Sequence, residues 1–214
     1  MDLRAPPGRA GDHPPVSSSL PAAEAVSLAR RAAAPLAGRR VRLAGTVYLL
    51  LDLSASMADE GKMPELLRGA VRFFYEAWRR HYAVGVIGFA RDARVLSGAT
   101  RNPHRFQRSL AGLSPGGGTA MAAALGLACA RLRGRAGHRV ALLITDGMPD
   151  DRRATLDAAA RARALGLTLV AVGTGRADEA FLRALGPQPE LAAVVDLEHF
   201  ADGIGRVAGS LAGG

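Results

Sequence analysis

Short apolar runs alternate along most of the chain with segments that carry apolar residues at helical spacing. The runs predicted as strands are Thr46–Leu51, Tyr82–Ala90, Ala93–Leu96, Arg139–Thr145, Leu167–Val172 and Ala192–Val195. Such alternation is typical of a sheet that is buried on both faces. It predicts an α/β fold: a doubly wound, mostly parallel central sheet of about six strands, with helices on both faces.

The segments between the runs are predicted as helices: Pro64–His81, Pro103–Leu110, Thr119–Leu132, Thr155–Leu165, Asp178–Leu185 and Phe200–Leu211. Turn-prone residues Arg91 and Asp92 separate the second strand from the third. We therefore expect these two strands to form a hairpin, with the third as an antiparallel edge strand.

Residues 1–40 differ in composition from the rest of the chain. Five prolines lie within residues 1–21, without hydrophobic periodicity, so we expect a disordered tail there. Residues 22–40 are interpreted as a short helical extension, with a helix over Ala22–Ala34 that Pro35 ends. The α/β domain is predicted to occupy residues 41–214.

The lack of a recognisable signal peptide and the cysteine usage favour a cytoplasmic protein. Charges and prolines stand near the first residues, where a signal peptide would need an apolar run. No run approaches the ~20 apolar residues that span a bilayer, so we expect no membrane association. Cys129 is the only cysteine, which excludes an intrachain disulfide and favours a reducing compartment.

The formal net charge is +9, which raises the question of nucleic acid as a partner. Lys62 is the only lysine, and the arginines are scattered over every segment, with short pairs at Arg39-Arg40, Arg79-Arg80 and Arg152-Arg153. These pairs lack the interleaved aromatic residues of a base-stacking surface. The pattern favours a solvated basic surface over a nucleic-acid-binding face.

Oxygen-bearing side chains follow or precede three of the predicted elements. "DLSAS" follows the first strand, "PGGGTAM" precedes a helix, and "LLITDGMPD" ends a strand of almost unbroken apolar character. In open α/β sheets, ligands bind beyond the carboxyl ends of the strands, where the strand order reverses. If the first and fourth strands are neighbours, five side chains converge there: Asp52, Ser54, Ser56, Thr119 and Asp146.

An all-oxygen set of this kind suits a hard cation. Mg²⁺ is the expected ion and Mn²⁺ is an alternative, since Ca²⁺ takes more oxygen ligands. Only two of the five groups are charged, so the ion keeps affinity for one more carboxylate. The sequence therefore predicts a magnesium site with Asp52, Ser54, Ser56, Thr119 and Asp146 as metal ligands.

The D-x-S-x-S turn, the later threonine and the aspartate of "ITDG" resemble the metal-ion-dependent adhesion site of von Willebrand factor A domains. The resemblance covers about Val41 to Leu211 and implies a Rossmann-like fold. It also implies that Ser54, Ser56 and Thr119 contact the metal, that Asp52 and Asp146 act directly or through water, and that an acidic residue of a protein partner completes the shell. Ala55 departs from the glycine of many relatives, and a positive φ there would cost about 1 kcal/mol.

"DLSASMA", "VGVIGFA" and "LSPGGGTAM" look closest to the intracellular bacterial members that work with AAA+ ATPases. The resemblance implies a non-enzymatic adaptor for a MoxR-like ATPase or, alternatively, a regulatory component of a metal chelatase assembly. The chain has no G-x-x-x-x-G-K-[ST] loop, so we expect ATP hydrolysis to belong to another polypeptide.

The same motifs are also compatible with other roles. Asp and Ser also cap helices and turns, Thr119 alone is compatible with a helix N-cap, and Asp150 and Asp151 are read as loop or capping residues. "GLSPG" at Gly112–Gly116 matches the nucleophile elbow of serine hydrolases, but the next residue, Pro115, has no N–H for an oxyanion hole. A metal-assisted hydrolase is a remote alternative, because both aspartates are committed to the ion and no general base remains.

Overall fold

The computed structural model describes residues 43–59, 61–175, 177–186 and 192–210. These residues lie in one compact unit, Val41–Gly214. The predicted tail (1–21) and helical extension (22–40) lie outside the described residues. In the described part of the chain, no helix is both long and apolar enough to cross a membrane.

Strands and helices alternate along the described residues. The strands are β1 (Gly45–Asp52), β2 (Tyr82–Phe89), β3 (Ala93–Thr100), β4 (His138–Thr145), β5 (Thr168–Gly173) and β6 (Ala192–Val194). The helices are α1 (Lys62–Arg79), α2 (Pro103–Leu110), α3 (Met121–Leu132), α4 (Arg152–Ala164), α5 (Glu179–Leu185) and α6 (Leu197–Ser210). A short 3₁₀ helix, Ala55–Ala58, follows β1.

The strands form one six-stranded sheet in the order β3-β2-β1-β4-β5-β6. β3 pairs antiparallel with β2 at the edge of the sheet, and the other pairs are parallel. This arrangement confirms the predicted fold class, the hairpin and the antiparallel edge strand. The edge strand runs to Thr100, beyond the predicted end at Leu96, because its later residues still pair with β2 across a bulge.

Helices cover both faces of the sheet, so the alternating side chains of each central strand enter two separate cores. Along β1, Val47, Leu49 and Leu51 pack into one core with α1, α2 and α6. Tyr48 and Leu50 pack into the other core with α3, α4 and α5. All eight residues of β1 are buried, as expected for a central strand between two helical layers.

The strand order places the end of β1 at a topological switch point. β1 pairs with β2 on one side and with β4 on the other, and Leu51 lies opposite Ile144. The residues that follow, Asp52 on one strand and Thr145 and Asp146 on the other, therefore reach the same edge of the sheet. This is the position at which open α/β sheets bind ligands.

The structure corrects several predicted boundaries. α1 begins at Lys62 instead of Pro64, and α4 begins at Arg152 instead of Thr155 because Asp151 caps it, accepting a 2.8 Å hydrogen bond from Ala154 N. The predicted capping role of Asp151 is confirmed. α6 begins at Leu197, three residues before the predicted start, and the 3₁₀ helix was not predicted.

Candidate metal centre

Asp52 is completely buried at the end of β1, and both of its carboxylate oxygens accept hydrogen bonds. Oδ1 accepts from the backbone N–H of Ser54 at 2.8 Å, and Oδ2 accepts from Thr145 Oγ1 at 2.6 Å. The first bond folds the chain sharply after β1, and the second ties β1 to β4. Asp52 is therefore held in one orientation by two neighbouring strands.

A chain of side-chain hydrogen bonds joins Ser54, Ser56 and Asp146. The Oγ atoms of Ser54 and Ser56 lie 3.1 Å apart, and Ser56 Oγ donates to Asp146 Oδ1 at 2.7 Å. Asp146 is 1% exposed and Ser54 is 2% exposed, whereas Ser56 is half-buried. Four of the five predicted ligands, Asp52 with these three, thus meet at one edge of the sheet although Ser56 and Asp146 lie 90 positions apart.

Thr119 lies in the neighbouring loop and is held there through its main chain. Its N–H donates to Asp150 Oδ2 at 2.8 Å, and its carbonyl accepts from Asp150 N at 3.2 Å. Thr119 is not the N-cap of α3, because that position is Ala120. The interpretation of Asp150 as a loop or capping residue missed this role in fixing the Thr119 loop.

Two contacts bind the Thr119 loop to the turn after β1. Ala55 N donates to Gly117 O at 3.1 Å, and Gly116 N donates to Leu53 O at 2.8 Å. Gly117 has a φ of +88°, which glycine adopts without strain. Gly118 lies so close to Asp150 that a Cβ added to Gly118 would lie 2.5 Å from Asp150 Oδ2.

Ala55 does not carry the strain that a positive φ would impose. Within the described residues, His81 is the only non-glycine residue with a positive φ. Ala55 opens the 3₁₀ helix and its side chain is exposed. The departure from glycine at this position is therefore compatible with the turn.

Lys62 is a site residue whose role sequence reasoning missed. Its Nζ donates to Asp146 Oδ2 and to Asp59 Oδ2, both at 2.7 Å, and to the carbonyl of Ser56 at 3.1 Å. The Lys62 side chain is only 12% exposed. Lys62 is the only lysine of the chain, and this could have distinguished its position from those of the scattered arginines.

Burial and neighbouring charges set the protonation of the site. Burial raises the pKa of Asp52 above its ordinary value, against the lowering effect of its hydrogen bonds from Ser54 and Thr145, and the nearby charge of Asp146 raises it further. Burial acts to lower the pKa of Lys62, but its hydrogen bonds to Asp146 and Asp59 outweigh burial and raise that pKa. Lys62 is therefore a charged ammonium at neutral pH.

The donor set consists of oxygen atoms: two buried carboxylates and the hydroxyls of serine and threonine. This is the chemistry that small hard divalent cations take, whereas thiolate or imidazole ligands would favour zinc. Ser114 of "GLSPG" lies exposed in the loop after α2, with no strand before it. That placement lacks the strand–turn–helix geometry of a nucleophile elbow.

Comparisons with known proteins agree with this architecture. The structure is similar to the vWF domain of the type V pili tip protein Mfa5 from Porphyromonas gingivalis, with a TM-score of 0.72 and 10% identity over 80% of this chain and 96% of that one. It is also similar to a manganese-loaded Plasmodium vivax TRAP protein, with a TM-score of 0.61 and 19% identity over 76% of this chain and 72% of that one.

A third similar structure is the proximal thread matrix protein 1 of the mussel byssus, described with a zinc-occupied MIDAS motif. Its TM-score is 0.62, with 18% identity over 78% of this chain and 46% of that one. At these identities the likeness shows the fold alone.

Sequence comparison adds a local match and a family match. Human matrilin-4 is 51% identical over 51 residues, which is 24% of this chain and 8% of matrilin-4. The chain thus spans a small part of that relative. The sequence profile of the von Willebrand factor type A domain matches residues 46–205, which include the whole candidate site. The chain therefore belongs to the von Willebrand factor type A domain family.

Proposed function

We propose that the domain is a Mg²⁺-dependent protein-interaction module without catalysis of its own. Asp52, Ser54, Ser56, Thr119 and Asp146 would hold the ion as a metal-ion-dependent adhesion site, with Mn²⁺ as an alternative metal. The bound ion would supply an open coordination position for an Asp or Glu of a partner protein. The observation that carries this proposal is the part-buried chain of oxygen atoms from Ser54 through Ser56 to Asp146.

The residues present fit such an ion. Asp52 and Asp146 place two carboxylates in a fully buried position, at a cost in desolvation that a divalent cation offsets. The serine hydroxyls stand 3.1 Å apart, a separation compatible with two oxygens that share one metal shell. The manganese-loaded TRAP protein and the byssus protein with its zinc-occupied MIDAS motif support a divalent ion as the ligand of a domain with this fold.

A basic cavity beside the site supports an acidic partner. The cavity has a volume of about 370 Å³, and its lining includes two arginines, Arg91 and Arg94, and one carboxylate, Asp92, so its net charge is positive. Neither arginine forms an ion pair with any residue that the structure describes. A segment that offers one carboxylate to the ion therefore finds positive charge next to it.

For the partner itself we propose an AAA+ ATPase of the MoxR-like kind, in the cytoplasm, with a chelatase assembly as the alternative. Both rest on the likeness of "DLSASMA" and "LSPGGGTAM" to the intracellular bacterial members of the family. A MoxR-like gene beside this one would favour the first, and chelatase subunits the second.

The test of the interaction is capture by the immobilised domain in Mg²⁺ and in EDTA, with Asp52→Asn as the metal-site variant. We expect an AAA+ ATPase among the proteins that bind in Mg²⁺, and its loss both in EDTA and with the variant. Retention of every captured protein in EDTA would contradict a metal-dependent interaction.

A further inference from the structure

The Lys62 ammonium occupies part of the coordination capacity of the candidate site. Its three donors are all engaged, with Asp146 Oδ2, Asp59 Oδ2 and the Ser56 carbonyl. Asp146 Oδ1 accepts from Ser56. Both oxygens of Asp146 are therefore already bonded, one of them to a full positive charge.

The position of Lys62 in α1 distinguishes its ion pair with Asp146 from an exposed surface ion pair. Lys62 is the first residue of the helix, where the helix dipole disfavours a cation. It nevertheless lies with only 12% of its side chain exposed, against a carboxylate that is completely buried. The attraction of Asp146 and Asp59 is what holds the ammonium at this helix end.

Gly175 lies next to the ammonium: an added Cβ there would lie 3.7 Å from Lys62 Nζ, at ordinary van der Waals distance. The compact ammonium donates to three separate acceptors, whereas the guanidinium of arginine is a planar fork of fixed geometry.

Charge counting shows what Lys62 does to the site. Asp52 and Asp146 contribute two buried negative charges, and Lys62 contributes one positive charge between Asp146 and Asp59, whose carboxylate is exposed to solvent. The inner site is thus closer to neutral than its carboxylates alone would make it. A divalent ion has to share Asp146 with Lys62, and the two cations repel one another at short range in a poorly solvated place.

We propose that Lys62 is a built-in competing cation that stabilises the metal-free domain and weakens its affinity for the divalent ion. This inference rests on the proposed metal site and deepens it. With the ion bound, Lys62 keeps the site more positive than the two carboxylates and the ion alone would make it, which favours a partner's carboxylate. Without the ion, Lys62 keeps Asp146 from being a buried charge with no cation.

The test compares Mn²⁺ binding, measured by the EPR signal of free Mn²⁺, in the wild type, Lys62→Met and Lys62→Gln. We expect both variants to bind Mn²⁺ tenfold or more tightly, because each removes the repulsive charge. Lys62→Gln keeps a donor for Asp146 and is the variant to use if Lys62→Met does not fold without metal. Arg183→Gln, which removes a charge from an exposed pair with Glu179, is the matched control and should leave the affinity unchanged.

Thermal melting gives a second readout. In EDTA, Lys62→Met should melt at least about 5 °C below the wild type, because Asp146 is left buried and unpaired. Saturating Mn²⁺ should reduce the difference in melting temperature between Lys62→Met and the wild type. Unchanged or weaker Mn²⁺ affinity in both variants, with a wild type that does bind, would overturn the role of Lys62. A wild type that binds no Mn²⁺ at all would instead overturn the proposed metal site.

Discussion

Thr145 donates a 2.6 Å hydrogen bond from its Oγ1 to Oδ2 of Asp52, across the boundary between the two central strands. Both residues are completely buried. The hydroxyl therefore supports a carboxylate that water cannot reach, and it fixes the direction in which the other side of that carboxylate faces. Asp52 is oriented by β4 as much as by β1.

Thr145→Val should remove this support with little change in shape. A buried carboxylate that loses a donor costs about 2 kcal/mol of unfolding free energy. Urea denaturation would measure the loss. Thr174→Val is the matched control, since the Thr174 hydroxyl is also buried but has no hydrogen-bond partner within the described residues. We expect Thr174→Val to be neutral or stabilising, and equal losses in the two variants would argue against a specific role for Thr145.

Gly118→Ala should displace Asp150 from Thr119. The new Cβ would lie 2.5 Å from Asp150 Oδ2, so the 2.8 Å bond to Thr119 N cannot persist unchanged. We expect a loss of about 1 to 3 kcal/mol in unfolding free energy, together with weaker Mn²⁺ binding. The control is Gly116→Ala, where an added Cβ meets nothing within 4 Å. If both variants bind Mn²⁺ like the wild type, the Thr119 loop is not part of the metal site.

His138 predicts a pH dependence that is separate from the metal. It lies at the start of β4, bonded to Tyr82 Oη at 2.9 Å and to Thr168 Oγ1 at 2.8 Å. Burial lowers its pKa from the ordinary 6.5, so the unfolded chain takes up the proton first as pH falls. The contribution of neutral His138 to the free energy of unfolding is therefore complete above about pH 6.5, and it is lost as the pH falls below that value.

The loss should be a fraction of the ~1.4 kcal/mol per pH unit that one whole proton would give, because His138 is only half-buried. Urea melts of the wild type and His138→Gln between pH 7.5 and 5 would separate this contribution from that of the carboxylates. The two proteins should diverge in slope below about pH 6.5. Parallel curves would show that His138 does not couple to folding.

The residues that follow the strands were predictable because strand ends obey short-range patterns. Asp52, Ser54 and Ser56 alternate directly after an apolar run, and Asp146 ends another such run, so parallel pairing of β1 and β4 was enough to bring them together. The pairing of Leu51 with Ile144 confirms that step. The complete order of strands was not predicted; the adjacency of β1 and β4 was stated only as a condition, and the structure meets it.

Thr145, Lys62 and Asp150 were harder to find because their roles depend on tertiary contacts. Thr145 was absorbed into the apolar run that it ends, although its hydroxyl faces Asp52. Lys62 reaches Asp146 across 84 positions in sequence, from the first turn of α1. Asp150 contacts Thr119 only in the folded protein, where the loop of Gly116, Gly117 and Gly118 lies against it.

The most direct measurement of the metal site is the melting temperature with EDTA, Mg²⁺ and Mn²⁺, in the wild type, Asp52→Asn and Asp146→Asn. At a hundredfold excess over the dissociation constant, binding adds about 2.7 kcal/mol of stability, or roughly 5 to 10 °C for a domain of this size. We predict that rise in the wild type and in Asp202→Asn, an exposed control, and its loss in both site variants. Equal rises in all four proteins, or none in the wild type, would contradict the assignment of Asp52 and Asp146 to a divalent ion.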